Sequence, residues 1–326
     1  MVKQKDRMAF SNNKLKIQVM IFIGLFLLLL IFHFITGNRL LRTDNIRNLI
    51  VQSVYPAFLG FGMMFIFGAG FIDFSIGANS IFAINMGVLT AQYLGWGYFG
   101  LIFTTIVLAV ILEHITMLLA VRLEIPSWIA GLAMALIYET CLNEILFRLP
   151  FLKGTNNLRL EDYRILGTLP FMAGLWILSF IVASLLYHFT TLSFNLQAVG
   201  TSPQVATAMG INSSKTIYTA AIVGSIFVAV GAVVNISYTG QAYPTSGLGS
   251  ISILFKPLAI TQLANSVARY INKPLGIMLS SFLISCVFNV LTLLGVQSGT
   301  WQEFFLGAIV IICGIISNMK NNRVVK

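Results

Sequence analysis

Gly68-Ala69-Gly70-Phe71-Ile72-Asp73-Phe74-Ser75-Ile76-Gly77 interrupts two long apolar runs, roughly 52–70 before it and 77–94 after it. Two glycines close the first run, and a carboxylate stands in a segment otherwise fit for lipid. In hydrocarbon every unpaired backbone polar group is costly. Irregular backbone persists there only where protein buries it or it lines a watery cavity. Gly240-Gln241-Ala242-Tyr243-Pro244-Thr245-Ser246-Gly247-Leu248-Gly249 makes the same kind of interruption between runs 217–238 and 250–266. Gly- or Pro-interrupted segments in corresponding halves of a chain point to a transport pathway and an inverted repeat. The first break follows a run heading inward and the second a run heading outward, which suits inversion. Two tight loops at the membrane surface are the other reading, and the residues alone leave both open.

Composition extends this reading to the whole chain. Of 326 residues, 57% are hydrophobic and 9% charged, against about 25% charged in a soluble domain. Such a chain cannot coat a water-facing surface, which excludes a cytosolic enzyme, a secreted scaffold and a disordered protein. A spanning helix needs about 20 residues. Runs at roughly 17–36, 52–70, 77–94, 98–121, 126–146, 169–189, 217–238, 250–266, 274–295 and 301–318 predict ten spans. The run from Ile17 to about Ile35 is longer than a signal-peptide core and lacks a small-residue cleavage site, so it reads as an uncleaved first span. The expected fold is an all-α polytopic membrane protein with a cytoplasmic tail 1–16, a transmembrane domain 17–318 and a cytoplasmic tail 319–326.

The net charge of +10 forms no single basic stripe, so nucleic acid is not the expected partner. Lys3, Lys5, Arg7, Lys14 and Lys16 precede the first run, and Lys320, Arg323 and Lys326 follow the last. Basic flanks of this kind place both termini in the cytoplasm. The segments 37–51, 95–97, 147–168, 239–249 and 296–300 then face out, while 71–76, 122–125, 190–216 and 267–273 face in. Arg148, Lys153, Arg159 and Arg164 crowd one outer loop. With Glu139 and Glu144 they are candidates for touching an acidic or basic docking partner, or are merely solvated.

The inner segment 190–216 contains Thr201-Ser202-Pro203-Gln204-Val205-Ala206-Thr207-Ala208-Met209-Gly210. Ser202 is a fit N-cap, Pro203 a fit first residue and Gly210 a fit stop. Val205, Ala208 and Met209 share a face. A two-turn helix is marginal alone in water, so it rests either on the protein's own surface or on a partner.

Enzyme chemistry finds little support. Gly210-Ile211-Asn212-Ser213-Ser214-Lys215-Thr216 ends like a phosphate-binding loop but lacks the glycine before the lysine and follows no soluble strand. Cys141, Cys286 and Cys313 have no metal-ligand spacing and read as buried packing thiols; no metal site is expected. Glu113-His114 lies within a span, where packing or pore-side hydrogen bonding is the expected role. Asp73 either contacts substrate and helps gate the pathway, or caps the helix starting near Ser75.

Six segments, in order, resemble the membrane permease subunits of ribose-type ABC importers, the binding-protein-dependent inner membrane components. They are Asn45-Ile46-Arg47-Asn48-Leu49-Ile50; Gly62-Met63-Met64 with Ile72-Asp73-Phe74-Ser75-Ile76-Gly77; Ile125-Pro126-Ser127-Trp128-Ile129-Ala130-Gly131-Leu132-Ala133; Ala198-Val199-Gly200 through Gly210-Ile211-Asn212; Ala242-Tyr243-Pro244-Thr245-Ser246-Gly247; and Asn289-Val290-Leu291-Thr292-Leu293-Leu294-Gly295-Val296. The resemblance runs from about residue 40 to the end. It implies ten helices in a bacterial cytoplasmic (inner) membrane and a second permease subunit, identical or a paralogue. It also implies an extracytoplasmic solute-binding protein and a separate cytoplasmic ATPase that binds the ATP. This chain would carry no cofactor and no ATPase site of its own. Ser202, Pro203, Gln204, Val205, Ala206, Met209 and Gly210 would form the coupling helix for the ATPase.

The chain departs from the pattern after Gly247. The family's acidic and glycine-rich elements are replaced by Leu248–Ile253 and Ala259–Ser266, and Lys256-Pro257 appears inside a span. A lysine at the bilayer centre costs about 2.5–3.5 kcal/mol on insertion scales, so Lys256 is expected to face protein or pore, or to snorkel. The departure makes a pore shared with a more typical permease plausible. The expected function is import of a sugar or sugar-like small molecule. Asp73, Ser75, Asn79, Gln241, Pro244, Thr245 and Asn289 are the candidate pathway residues. The alternatives are a nucleoside permease of the same machinery, an ion-coupled secondary transporter, and a polytopic membrane enzyme.

Overall fold

A computed structural model describes residues 2–149, 158–160, 162–296 and 300–321, with side chains described from Lys16 to Ile315 apart from Thr300. The helices are α1 (Val2–Ile35), α2 (Thr43–Gly68), α3 (Ile76–Val88, continued by a π turn Leu89–Tyr93), α4 (Gly97–Arg122) and α5 (Ser127–Phe147). After them come α6 (Leu169–Phe189), α7 (Leu192–Thr201), α8 (Pro203–Ala208), α9 (Ser213–Thr239), α10 (Ser252–Val267), α11 (Lys273–Leu293) and α12 (Thr300–Asn321). Each of the ten apolar runs carries a helix. Among the described residues, seven helices are long and apolar enough to cross a membrane. α3 and α10 are shorter because the two breaks consume their ends. α1 starts at Val2, inside the segment expected to be a tail. Lys153 and Arg323 and Lys326 of the C-terminal tail lie outside the described residues.

The chain divides into two compact units. One comprises Met1–Ser53 and Gln262–Lys326, the other Val54–Thr261. In the first, Leu40, Leu49, Cys286 and Val290 form a buried cluster, and Asn45 and Asn289 exchange amide hydrogen bonds at 2.9 and 3.0 Å. Pro56 lies inside α2 and offers no N–H to the carbonyl of Gln52 four residues back. Ser285 Oγ donates to that carbonyl at 3.1 Å, so the α2 backbone stays satisfied in an apolar setting.

The second unit is built on α9. Small residues let membrane helices approach closely without a hydrophobic drive between them. Gly62 of α2 and Gly224 of α9 meet so closely that a Cβ on either would lie within 3 Å of the other's carbonyl oxygen. Phe65 stacks on Phe227 at 5.8 Å beside this crossing. α3 and α4 pack on the other side of α9, with Ala83, Ala109 and Ala229 in a common cluster.

Segments expected on one side of the membrane do meet in this unit. Leu158 and Arg159 (β1) pair antiparallel with Ala242 and Gln241 (β2), joining two loops expected on the outer side. The Ile165 N–H donates to Tyr98 Oη at 3.2 Å. At the end expected to face inward, the Ile72 N–H donates to Ser127 Oγ at 3.1 Å. Gly70, at φ 83°, lies against Gly200, where a Cβ would sit 2.4 Å from the Gly68 carbonyl oxygen. Only glycine permits that contact.

Cys286 and Cys313 are buried, but Cys141 is exposed. This corrects the expectation that all three are packing thiols. Cys141 shares the outward stripe of α5 with Ile137 and Ile145, the i, i±4 row that faces away from the protein.

Candidate translocation site

The break at 240–249, expected on the outer side, is held from α5. Glu139 is 3% exposed, and its Oε1 accepts from the Ser250 N–H at 2.7 Å and from Thr245 Oγ1 at 3.0 Å. Its Oε2 accepts from the Leu248 N–H at 2.9 Å. One turn along, Asn143 Nδ2 donates to the Thr245 carbonyl at 2.6 Å. Leu248 is held at φ 66°, a region that a branched side chain enters only when its surroundings over-determine it. The candidate outer contact Glu139 is therefore turned inward. It clasps the segment leading into the 3-10 turn Gly249–Ile251 and α10.

The rest of the outer charge is also largely engaged. Arg148 pairs with Glu144 at 2.5 Å. Arg164 donates Nη2 to the Tyr238 carbonyl at 2.7 Å and Nε to Ser237 at 3.4 Å, capping the end of α9 as basic groups do at helix C-termini. Arg159 is exposed on β1.

Between α2, α3, α9 and the clasped break lies a cavity of about 190 Å³. Its polar wall is Tyr55, Ser80, Asn85, Asn235, Gln241, Tyr243 and Thr245, and its apolar wall includes Ile81, Ile84, Ile236 and Ile253. Among the described residues no charged side chain lines it. Tyr55 Oη and Ser80 Oγ are 3.2 Å apart. Asn85 is fully buried, donates Nδ2 to the Ile81 carbonyl at 2.7 Å, and leaves Oδ1 without a protein partner. Its Oδ1 is thus a buried acceptor beside the cavity with no donor from the protein, a costly state for a polar atom.

Of the candidate pathway residues, Gln241 and Thr245 line this cavity, and Pro244 sits between them in the chain without lining it. Asp73, Ser75 and Asn79 gather elsewhere, at the inner break, and Asn289 belongs to the first unit, engaged with Asn45. Tyr55, Asn85 and Asn235 were not singled out in the sequence. Each lies inside an apolar run, where a polar residue at helical spacing carries no mark of the face it takes.

At the break at 68–77, expected on the inner side, the Ser75 N–H donates to Asp73 Oδ1 at 2.6 Å and Ser75 Oγ to Oδ2 at 3.0 Å. Asp73 thus satisfies the entry to α3 from two residues before its cap; Ser75 is the cap residue itself and its side chain makes no capping bond. Burial pushes the Asp73 carboxyl above the usual carboxylate range. Asn79 Nδ2 donates to the Ala109 carbonyl and to Glu113 Oε2, both at 3.0 Å. A chain of hydroxyls then crosses three helices: Ser75 to Thr116 at 3.3 Å, Thr116 to Tyr138 at 3.1 Å, and Tyr138 to the Leu112 carbonyl at 2.6 Å. His114 turns away and its ring lies 4.8 Å from that of Tyr218.

The inner segment folds as its sequence predicts. Ser202 Oγ accepts from the Val205 N–H at 3.4 Å, Pro203 opens α8, and Gly210 follows it at φ 84°. Ala206 is buried against the protein, while Gln204, Val205 and Met209 are exposed. Ser213, in the first turn of α9, donates to the Pro203 carbonyl at 3.2 Å and lies 3.0 Å from Thr207 Oγ1. Asn212 Oδ1 caps α9 through the Lys215 N–H at 2.9 Å. The loop that ends like a phosphate binder is a helix start.

The family described as branched-chain amino acid transport system / permease component matches residues 45–314. The chain belongs to this permease family. The permease is similar to the ribose import permease protein RbsC of Escherichia coli K12, 24% identical over 285 residues, covering 85% of this chain and 86% of that protein. It is also similar to the Bacillus subtilis 168 protein of the same name, 26% identical over 322 residues and covering 92% of each. No solved structure matches it. Membership and the apolar helices make the permease a multi-pass membrane protein.

Proposed function

We propose that the permease is the pore-forming subunit of an ABC importer for a neutral sugar, and that the cavity beneath the outer break is a station for that solute. The observation that carries the reading is the cavity's wall: hydroxyls and amides from Tyr55, Ser80, Asn85, Asn235, Gln241 and Thr245, with no charged side chain among the described residues. A branched-chain amino acid would bring an ammonium and a carboxylate, and burying either without a counter-charge is strongly unfavourable. A sugar brings hydroxyl donors for the waiting Asn85 Oδ1 and a ring face for Tyr55 and Tyr243. At about 30 Å³ per water, the cavity holds roughly six waters or one small solute. The ribose permeases among its relatives favour the same cargo class.

The importer machinery follows from the same reading. ATP is bound and hydrolysed by a separate cytoplasmic ATPase, which receives α8 on its exposed Val205 and Met209 face. A solute-binding protein delivers cargo at the outer side, and a second permease subunit, identical or a paralogue, completes the pore. Both termini lie in the cytoplasm of a bacterial cell, with 1–16 and 319–326 as tails. Asp73, Ser75, Asn79 and Asn289 serve the pathway by holding its helices.

The test is uptake of labelled neutral pentoses and hexoses, and of leucine, in cells lacking this chain and in cells with it restored. Sugar uptake that returns with the chain, and leucine uptake that never depended on it, is the expected result. Leucine uptake that depends on the chain overturns the cargo. Mass spectrometry of the gently extracted, tagged complex identifies the ATPase and the second subunit; a chain that emerges without an ATPase overturns the machinery.

A further inference from the structure

We propose that Asp73 and Glu113 hold one proton between them, Glu113 Oε1 donating it to the Asp73 carboxylate, and that this bond fastens the inner break to α4. Both side chains are buried, at 0% and 1% exposure, and their carboxyls sit against each other. The placement also follows from the hydroxyls. Ser75 bonds Asp73 and reaches Thr116, and Thr116 lies one turn from Glu113 on the same face of α4.

Three of the four carboxyl oxygens have partners in the protein. Ser75 supplies donors to both oxygens of Asp73, and Asn79 supplies one to Glu113 Oε2. Glu113 Oε1 is buried with no donor. Among the described residues Glu113's charge partner is Asp73 alone, and no cluster of three metal-ligating side chains lies there. Two adjacent carboxylates in a dry site cannot both stay ionised. One proton removes both difficulties. It lowers the pair to a single negative charge, held by the Ser75 donors, and it makes Oε1 a donor rather than an orphan acceptor.

The titratable neighbours do not compete for that proton. Tyr138 of α5 gives its hydrogen to the Leu112 carbonyl, and His114 of α4 packs on Tyr218 of α9. The proton is therefore a structural ligand, distinct from one passed along a pathway.

The test is infrared spectroscopy of the purified full-length chain at neutral pH, beside thermal unfolding of two variants. The wild type should show the carbonyl band of a protonated carboxylic acid, and Glu113→Gln should lack it. Gln keeps the geometry, its amide donating to Asp73 and its oxygen accepting from Asn79, so the variant should unfold near the wild-type temperature. Glu113→Ala should unfold well below it. A wild-type spectrum without the band, a band unchanged in E113Q, or an E113Q protein as unstable as E113A each overturns the proposal. None of these readouts depends on the cargo or the ATPase.

Discussion

Glu139 on α5 and Ser250 at the foot of α10 are joined by a 2.7 Å hydrogen bond from the Ser250 N–H to Oε1, across 111 residues of sequence. With Leu248 and Thr245 supplying two more donors, one carboxylate sets the course of the whole outer break. Glu139→Ala should leave these donors unpaired at about 1–3 kcal/mol each. We expect a loss of several kcal/mol in unfolding by denaturing detergent. Glu139→Gln, which turns one acceptor into a donor facing backbone N–H groups, should recover only part of it.

The Asn85 side chain offers a second test. Asn85→Leu removes the waiting acceptor, fills part of the cavity and leaves no charge behind. If the solute's hydroxyl pairs with Oδ1, a lost bond of roughly 1.4 kcal/mol or more raises the KM for uptake about tenfold or more, with the amount of protein in the membrane unchanged. Equal uptake at low substrate in variant and wild type would remove Asn85 from the solute's path.

Ser285 and Pro56 form a double-mutant cycle. Ser285→Ala should cost about 1 kcal/mol, the net worth of one hydrogen bond, because the Gln52 carbonyl opposite Pro56 loses its Ser285 donor. In a Pro56→Ala background the helix can supply its own N–H to that carbonyl. The same Ser285→Ala change should then cost close to nothing, and the two substitutions should be non-additive.

On α8, Met209 is exposed and Ala206 buried. Met209→Glu should leave folding intact and cut ATPase co-purification about tenfold or more, as charge at the centre of an interface does. Ala206→Asp should fail earlier, by lifting α8 off the protein, and should lower the yield of folded chain as well.

The legible part of this molecule is the part written in one stretch of chain. Apolar runs gave the helices, because hydrocarbon demands about 20 such residues at a time. Ser202, Pro203 and Gly210 gave α8, because each acts on backbone within a turn of itself. What stayed hidden depends on rotation about a helix axis or on partners far away. Glu139 stands near the end of its span and reads as an outer contact, yet it points at a segment more than 100 residues on. Asn45 and Asn289 both sit in recognisable motifs, and nothing in either motif announces that they bond each other. Asp73 and Glu113 are singled out separately by their cost in lipid; only the fold brings them together.

α9 runs unbroken from Ser213, tied to α8, to Thr239 at the outer break, with Asn235 in the cavity wall on the way. At 1.5 Å per residue its 27 residues span about 40 Å. One rigid rod therefore joins α8, the proposed seat of the ATPase, to the wall of the proposed solute cavity. Such a part is difficult to inherit in pieces. A chimera that borrows the outer half of α9 from a relative with another appetite also borrows its tilt, and the far end must seat α8 at the matching angle. Cargo preference and fit to the motor are expected to evolve together along this helix, while changes in α1, α6 and α12 remain free to drift with the lipid.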